Sequence, residues 1–219
     1  MPVDAKAVLT VCRELLDGMQ PGVVAVDMPL ATTSIEARRR ADGEVSRRFG
    51  HCKCSTHSPS PVRPGATGRR LHESLAELGY SLATTNSRDL PALLEVYPHV
   101  ALLGLTGRGE RLPYKVAKSG TYWRGHPPEF RKQRLVEEWS AIVACLRRHI
   151  DGIDLPLPTR PQERSFQYLK RFEDAIDALV SAWVGVEFLQ GTALPLGDGA
   201  AAIWVPASSM SFAQGHYAA

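Results

Sequence analysis

Apolar residues recur every three or four positions in several stretches of the chain, which is the spacing of one face of an α-helix. In residues 4–18 this face includes Leu9 and Leu16, and Gly18 can end the helix. A shorter predicted helix, over residues 36–49, carries an arginine-rich surface. Helices are predicted for residues 4–18, 36–49, 67–78, 98–105, 129–150 and 164–189.

Short apolar runs lie between these helices and predict β-strands. Residues 23–26 are small or β-branched, as in a strand that is buried on both faces of a parallel sheet. Pro29, Pro98 and Pro206 follow three of the runs and stop them, because proline has no backbone N–H for the ladder. Strands are predicted for residues 23–26, 80–83, 93–97 and 202–205. The alternation of helices and strands predicts an α/β fold.

The chain length fits one domain, which we assign to residues 1–206. Residues 31–65 are polar and basic, and we expect them to form an insertion or loop region over the strand ends instead of part of the core. Residues 207–219 are small and polar, and we expect a flexible tail.

Composition narrows the class of protein. No apolar run reaches the roughly 18 residues of a membrane helix, and the first residues do not resemble a signal peptide, so we expect a cytoplasmic protein. The four cysteines are not arranged as a disulfide framework. The formal net charge of +3 permits a nucleic-acid or phosphate partner without requiring one. The motifs of P-loop kinases, dinucleotide-binding proteins, zinc proteases and serine hydrolases are absent from the sequence.

Four acidic residues from three predicted elements could meet at one site. Asp27 ends the first strand, Glu95 lies near the end of another, and Asp174 and Asp177 share a face of the last helix. Carboxylate oxygens are the ligands that Mg²⁺ prefers, and two such ions about 4 Å apart can cleave a phosphodiester. The alternative for each acid is an ordinary strand-end or solvated carboxylate.

Basic residues cluster in residues 38–48 and 115–134, where they could hold a phosphate backbone or simply form a solvated face. Lys115 stands out because it follows a glycine-containing turn after the second main strand. Tyr114, Tyr122 and Trp123 lie among these residues and could stack on bases.

A second candidate metal site consists of His51, Cys52, Cys54 and His57, which are ligand types that zinc uses. The spacing is Cys-x-Cys, and no second ligand pair follows at the distance seen in zinc fingers. A plain surface loop is therefore the favoured interpretation.

The order of several motifs resembles a domain-of-unknown-function family described as predicted RNase H-like nucleases. The likeness runs from about residue 5 to residue 206 and depends on the order and spacing of the motifs together. The segments that carry it are Val-Asp-Met-Pro-Leu at 26–30, Glu-Val-Tyr-Pro-His at 95–99, Leu-Pro-Tyr-Lys at 112–115, Asp-Ala-Ile-Asp-Ala-Leu at 174–179, Trp183, and Ile-Trp-Val-Pro at 203–206.

The resemblance implies a mixed five-stranded sheet flanked by helices and two-metal hydrolysis of phosphodiesters. It implies Mg²⁺ or Mn²⁺ held by acids from strands and from the last helix. Asp27, Glu95, Asp174 and Asp177 match the acidic positions as catalytic and metal-binding residues, and Lys115 matches a phosphate-binding position.

One departure from the family pattern changes the expectation. The RNase H-like fold opens with three antiparallel strands, the first of which carries a leading catalytic Asp, whereas this sequence starts at the helix after them. We therefore expect the strand at 23–26 to expose an unpaired edge. Either the sequence is a fragment that lacks the preceding strands, or a second copy or another partner covers this edge. Two alternatives stay open: a catalytically inactive nucleic-acid-binding or regulatory module on this fold, and a small-molecule phosphotransferase.

Overall fold

The computed structural model describes residues 5–63 and 66–214. The α-helices are α1 Ala5–Leu15, α2 Arg40–Phe49, α3 Ala66–Glu77, α4 Pro98–Thr106, α5 Ser119–Tyr122, α6 Pro128–Leu146 and α7 Phe166–Gln190. The strands are β1 Val23–Val26, β2 Ser81–Leu82, β3 Ala92–Val96, β4 Ala193–Gly197 and β5 Ala202–Pro206. Short 3₁₀ helices cover Gly50–Cys52, Val116–Lys118, Pro161–Glu163 and Ala207–Phe212.

These strands form one five-stranded, mostly parallel sheet around β3. β1 runs parallel to β3 along one side, with Val23 opposite Ala92 and Val26 opposite Glu95. On the other side, β2 pairs with the first half of β3 and β5 pairs with its second half. β4 is antiparallel to β5 and forms the far edge. The predicted α/β fold is confirmed.

Helices cover both faces of the sheet, and tryptophans fill much of the largest core. Trp139 of α6, Trp183 of α7 and Trp204 of β5 are almost completely buried in it. α1 and α3 pack with Leu93 in a separate cluster on the other face. No helix in the described ranges is long and apolar enough to cross a membrane.

The structure differs from the predicted organisation in three places. Residues 31–65 are more than a surface loop, because α2 buries Ala41, Val45 and Phe49 in a core shared with β5. Ala207–Phe212 is not a free tail, because it packs against α4 and its Ser209 Oγ donates a hydrogen bond to the Val100 carbonyl at 3.0 Å. Residues 215–219 lie outside the described residues.

The third difference is β4, which the sequence did not predict because Pro195 and two nearby glycines argue against a strand. Proline is tolerated there because β4 is an edge strand. The opposite edge, along β1, pairs with no other strand in the described part of the chain, in agreement with the expected open edge. All four residues of β1 are only partly buried.

Candidate functional site

An acidic site lies where α7 crosses the end of β1. The helix contacts β1 closely, and Asp27 directly follows that strand. Glu173 and Asp177 stand four positions apart on α7, so that both point from one face of the helix. Both are buried, although buried carboxylates are costly unless they are paired or bind a cation.

Asp177 is held by two side chains from the segment before α5. Tyr114 Oη donates to its Oδ1 at 2.7 Å, and Lys115 Nζ donates to its Oδ2 at 2.5 Å. Burial raises the pKa of the Tyr114 phenol well above its ordinary value, and the Asp177 charge adds to that rise. Tyr114 therefore stays protonated and acts as a donor. The structure thus brings Asp177 and Lys115 together, as the prediction requires.

Glu173 belongs to the same site, and the sequence analysis missed it. Its Oε2 accepts a hydrogen bond from the Val116 amide at 2.6 Å. Its Oε1 lies 3.0 Å from Lys170 Nζ and 3.7 Å from Lys115 Nζ. The sequence does contain a feature that could have identified Glu173, because it lies one helical turn before Asp177 and therefore on the same face of the helix.

Asp174 projects differently from its two neighbours. It is exposed and forms an i,i+4 ion pair with Lys170. Carboxylate oxygens of Glu173, Asp174 and Asp177 nevertheless lie within 4.8 Å of one another. Asp174 is therefore an outer member of the acidic site.

Asp27 is the least compensated acid of the group. It lines a cavity of about 190 Å³, and no side chain or backbone amide in the described ranges donates a hydrogen bond to its carboxylate. Burial, and secondly the charge of Asp177, raise its pKa to about 6, while Lys115 and Lys170 oppose the rise. The Asp27 side chain is exposed to solvent, although enough protein lies around it to disfavour its charge.

Glu95 lies on β3 outside this group, although it lines the same cavity as Asp27. Arg39 binds both of its oxygens, at 2.5 and 2.6 Å, and the Leu30 amide donates a third hydrogen bond at 2.7 Å. Burial raises the pKa of Glu95 to about 7, and the Arg39 guanidinium opposes that rise. The predicted metal-ligand role of Glu95 does not fit this arrangement, because protein donors already occupy both oxygens.

The histidine and cysteine side chains of residues 51–57 do not converge as a set of three or more ligands in the described part of the chain. Cys54 is buried, and its thiol donates to the carbonyls of Cys52 and His99. Cys52 Sγ lies 3.2 Å from His51 Nε2. Within residues 5–63 and 66–214, the acids of α7 are the one group of three ligand-type side chains that converges.

Comparison with known families gives one result. The model of a family described as protein of unknown function (DUF429) matches residues 3–202. Searches of curated proteins and of solved structures give no significant match. Membership of a family of unknown function is thereby confirmed, whereas the nuclease activity that the sequence resemblance implies stays a prediction.

Proposed function

We propose that this chain, which belongs to the family of proteins of unknown function DUF429, is a metal-dependent phosphodiesterase or nuclease. The observation that carries the proposal is the Asp27 carboxylate, which accepts no hydrogen bond from the described residues and whose pKa is raised by burial and by the charge of Asp177. An acid in that position favours a cation as its missing partner.

The residues present fit a hard divalent ion. Carboxylate oxygens of Glu173, Asp174 and Asp177 lie within 4.8 Å of one another and are the kind of ligand that Mg²⁺ and Mn²⁺ prefer. Asp27, whose pKa the charge of Asp177 raises, could add a further oxygen ligand. Such an ion lowers the pKa of a bound water and stabilises the leaving oxygen of a phosphodiester.

Lys115 and Lys170 would contact the substrate at this site instead of the metal ion. Lys115 and Lys170 provide point charges beside Asp177 and Glu173, and a substrate phosphate can accept hydrogen bonds from the same ammonium groups. Asp27, whose pKa is raised to about 6, is ionised at neutral pH and is therefore available to bind a cation.

One observation favours a second candidate function, a non-catalytic nucleic-acid-binding module. Lys115 lies 2.5 Å from Asp177, so protein charges already compensate part of the acidic site. A nucleic-acid partner fits either function. We further propose a cytoplasmic location, because Cys52 and Cys54 are free thiols, and a second copy or another partner at the open edge of β1.

The decisive test compares Asp27→Asn with Asp151→Asn, which changes an exposed acid elsewhere. With Mn²⁺ and labelled single-stranded and duplex oligonucleotides, we expect cleavage by the wild type and by Asp151→Asn, and a loss of at least 100-fold for Asp27→Asn. Mn²⁺ at 100 times its Kd should stabilise the wild type by about 2.7 kcal/mol in thermal unfolding, and Asp27→Asn much less. Equal cleavage by both variants would rule out the site.

A further inference from the structure

Three polar side-chain atoms near the acidic site are buried and have no hydrogen-bond partner among the described residues. They are Nε of Arg111, Oη of Tyr122 and Nδ1 of His99. The guanidinium of Arg111 also forms no ion pair with any acid in the described ranges. Leaving such groups unsatisfied costs about 1–3 kcal/mol each, so a group of them in one place indicates a missing ligand.

The fold brings these three atoms into one neighbourhood. The Arg111 amide donates to the Cys52 carbonyl at 2.8 Å, which fixes the arginine against the loop after α2. The His99 ring makes edge contacts with Tyr97 and Tyr114, with ring centroids 5.4 and 5.3 Å apart. Because Tyr114 Oη binds Asp177, this neighbourhood borders the acidic site directly.

Electrostatic effects among these side chains also indicate that Arg111 and Tyr122 lie close to the acidic site. Burial raises the pKa values of the Tyr97 and Tyr122 phenols, and the nearby charge of Arg111 opposes this rise. The charge of Asp27 reaches Tyr97, and that of Glu173 reaches Tyr122. The Tyr122 hydroxyl lies beside the guanidinium in a contact that falls short of hydrogen-bond geometry. Arg111 and Tyr122 therefore stand next to the acids without pairing with them.

The two cationic side chains near the acidic site, Lys115 and Arg111, differ in whether a carboxylate already binds them. Lys115 is bound to Asp177 and Glu173, whereas the planar guanidinium of Arg111 has no carboxylate partner in residues 5–63 and 66–214. An unpaired guanidinium with a neighbouring hydroxyl donor is suited to two-point binding of phosphoryl oxygens.

We propose that Arg111 and Tyr122 form a phosphoryl-binding site beside the acidic centre. This inference deepens the proposed function: the acidic centre holds the phosphodiester that is cleaved, and Arg111 with Tyr122 holds a neighbouring phosphate of the same strand. The substrate is therefore a polyanionic chain with at least two phosphates and not an isolated phosphodiester.

The test measures binding of a single-stranded oligonucleotide in Ca²⁺, as a function of salt, for the wild type, Arg111→Met, Tyr122→Phe and Arg70→Met. Arg70 is an exposed arginine on α3 and serves as the matched control. We expect Arg111→Met to weaken binding about tenfold and to reduce the salt slope by about one unit. Tyr122→Phe should weaken binding severalfold with an unchanged slope, and Arg70→Met should change neither quantity.

A stability measurement separates a binding role from a structural one. Arg111→Met removes an unsatisfied buried donor, so the variant should melt at the same or a higher temperature than the wild type. A lower melting temperature, or an unchanged salt slope, would overturn the proposal.

The outcome for this site can be separated from the outcome for catalysis. If Arg111→Met binds the oligonucleotide with the same salt dependence as the wild type, and the wild type cleaves oligonucleotides with Mn²⁺, the Arg111 site alone is rejected. Salt-dependent binding through Arg111 without any cleavage would reject the hydrolase and retain the site on a binding module.

Discussion

Two groups of acids lie near the ends of neighbouring parallel strands, and they are compensated in opposite ways. Glu95 on β3 is enclosed by the two-point contact with Arg39 and by the Leu30 amide. Asp27 after β1 has no donor from the described residues and lies beside Asp177. The position of an acid at a strand end therefore does not decide its role, because the partner that the fold supplies decides it.

The contacts of Glu95 indicate a structural role instead of metal binding. Arg39 binds Glu95 and Asp42 together, and its guanidinium also donates to the Leu30 carbonyl. This network ties residues 30–42 to β3 and so shapes the cavity that Asp27 lines. Glu95 acts as a structural anchor behind the site.

Breaking the anchor should give the largest effect on stability. Glu95→Gln removes one of the two carboxylates that hold the buried Arg39, while Asp42 stays in place, which should lower the free energy of unfolding by about 1–3 kcal/mol. Chemical denaturation would measure the change, with the exposed Glu77→Gln as the control. A loss below about 1 kcal/mol would show that Glu95 is not an anchor and would return it to the list of candidate ligands.

Sequence reasoning identified the acids that follow simple local rules. Asp27 was found because a buried strand ends there, and Asp177 because it lies on the inner face of the last helix. Glu95 was misassigned because its partner, Arg39, lies 56 residues away and nothing local links the two. Arg39 also appeared to belong to a surface insertion, whereas α2 is part of the core.

The fold, like the acidic site, was predictable from the sequence where its features depend on neighbouring residues alone. Periodicity identified the long helices and the buried strands, whose apolar spacing is local. β4 was missed because only its edge position permits Pro195, and edge position is a property of the whole sheet. Glu173 joined the site through Val116 and Lys115, which a sequence spacing of 57 or 58 residues does not reveal.

Asp27 should make the stability of the fold depend on pH in the opposite direction to a carboxylate in a salt bridge. Folding raises the pKa of Asp27 from 3.8 to about 6, so the folded state binds more protons than the unfolded chain between these values. This group therefore makes stability fall as pH rises from about 4 to about 6. Asp27→Asn should melt above the wild type at pH 7.5, and the difference should disappear near pH 4.

Thermal unfolding at pH 4, 5.5 and 7.5 without divalent ions would check this, with Asp151→Asn as the control. Asp151→Asn should show no pH-dependent difference of this kind. If Asp27→Asn were less stable than the wild type at pH 7.5, the carboxylate would have a stabilising protein partner. That result would remove the main support for a cation at this position.

The smallest effect should come from Asp174, and it would define the outer limit of the site. Its ion pair with Lys170 is exposed, and i,i+4 pairs of this kind contribute about 0.3–0.5 kcal/mol. Asp174→Asn should therefore change stability by no more than about 0.5 kcal/mol. If Asp174 completes the ligand set, the variant should also bind Mn²⁺ more weakly, as titration calorimetry would show. Unchanged Mn²⁺ affinity would exclude Asp174 and restrict the site to Asp27, Glu173 and Asp177.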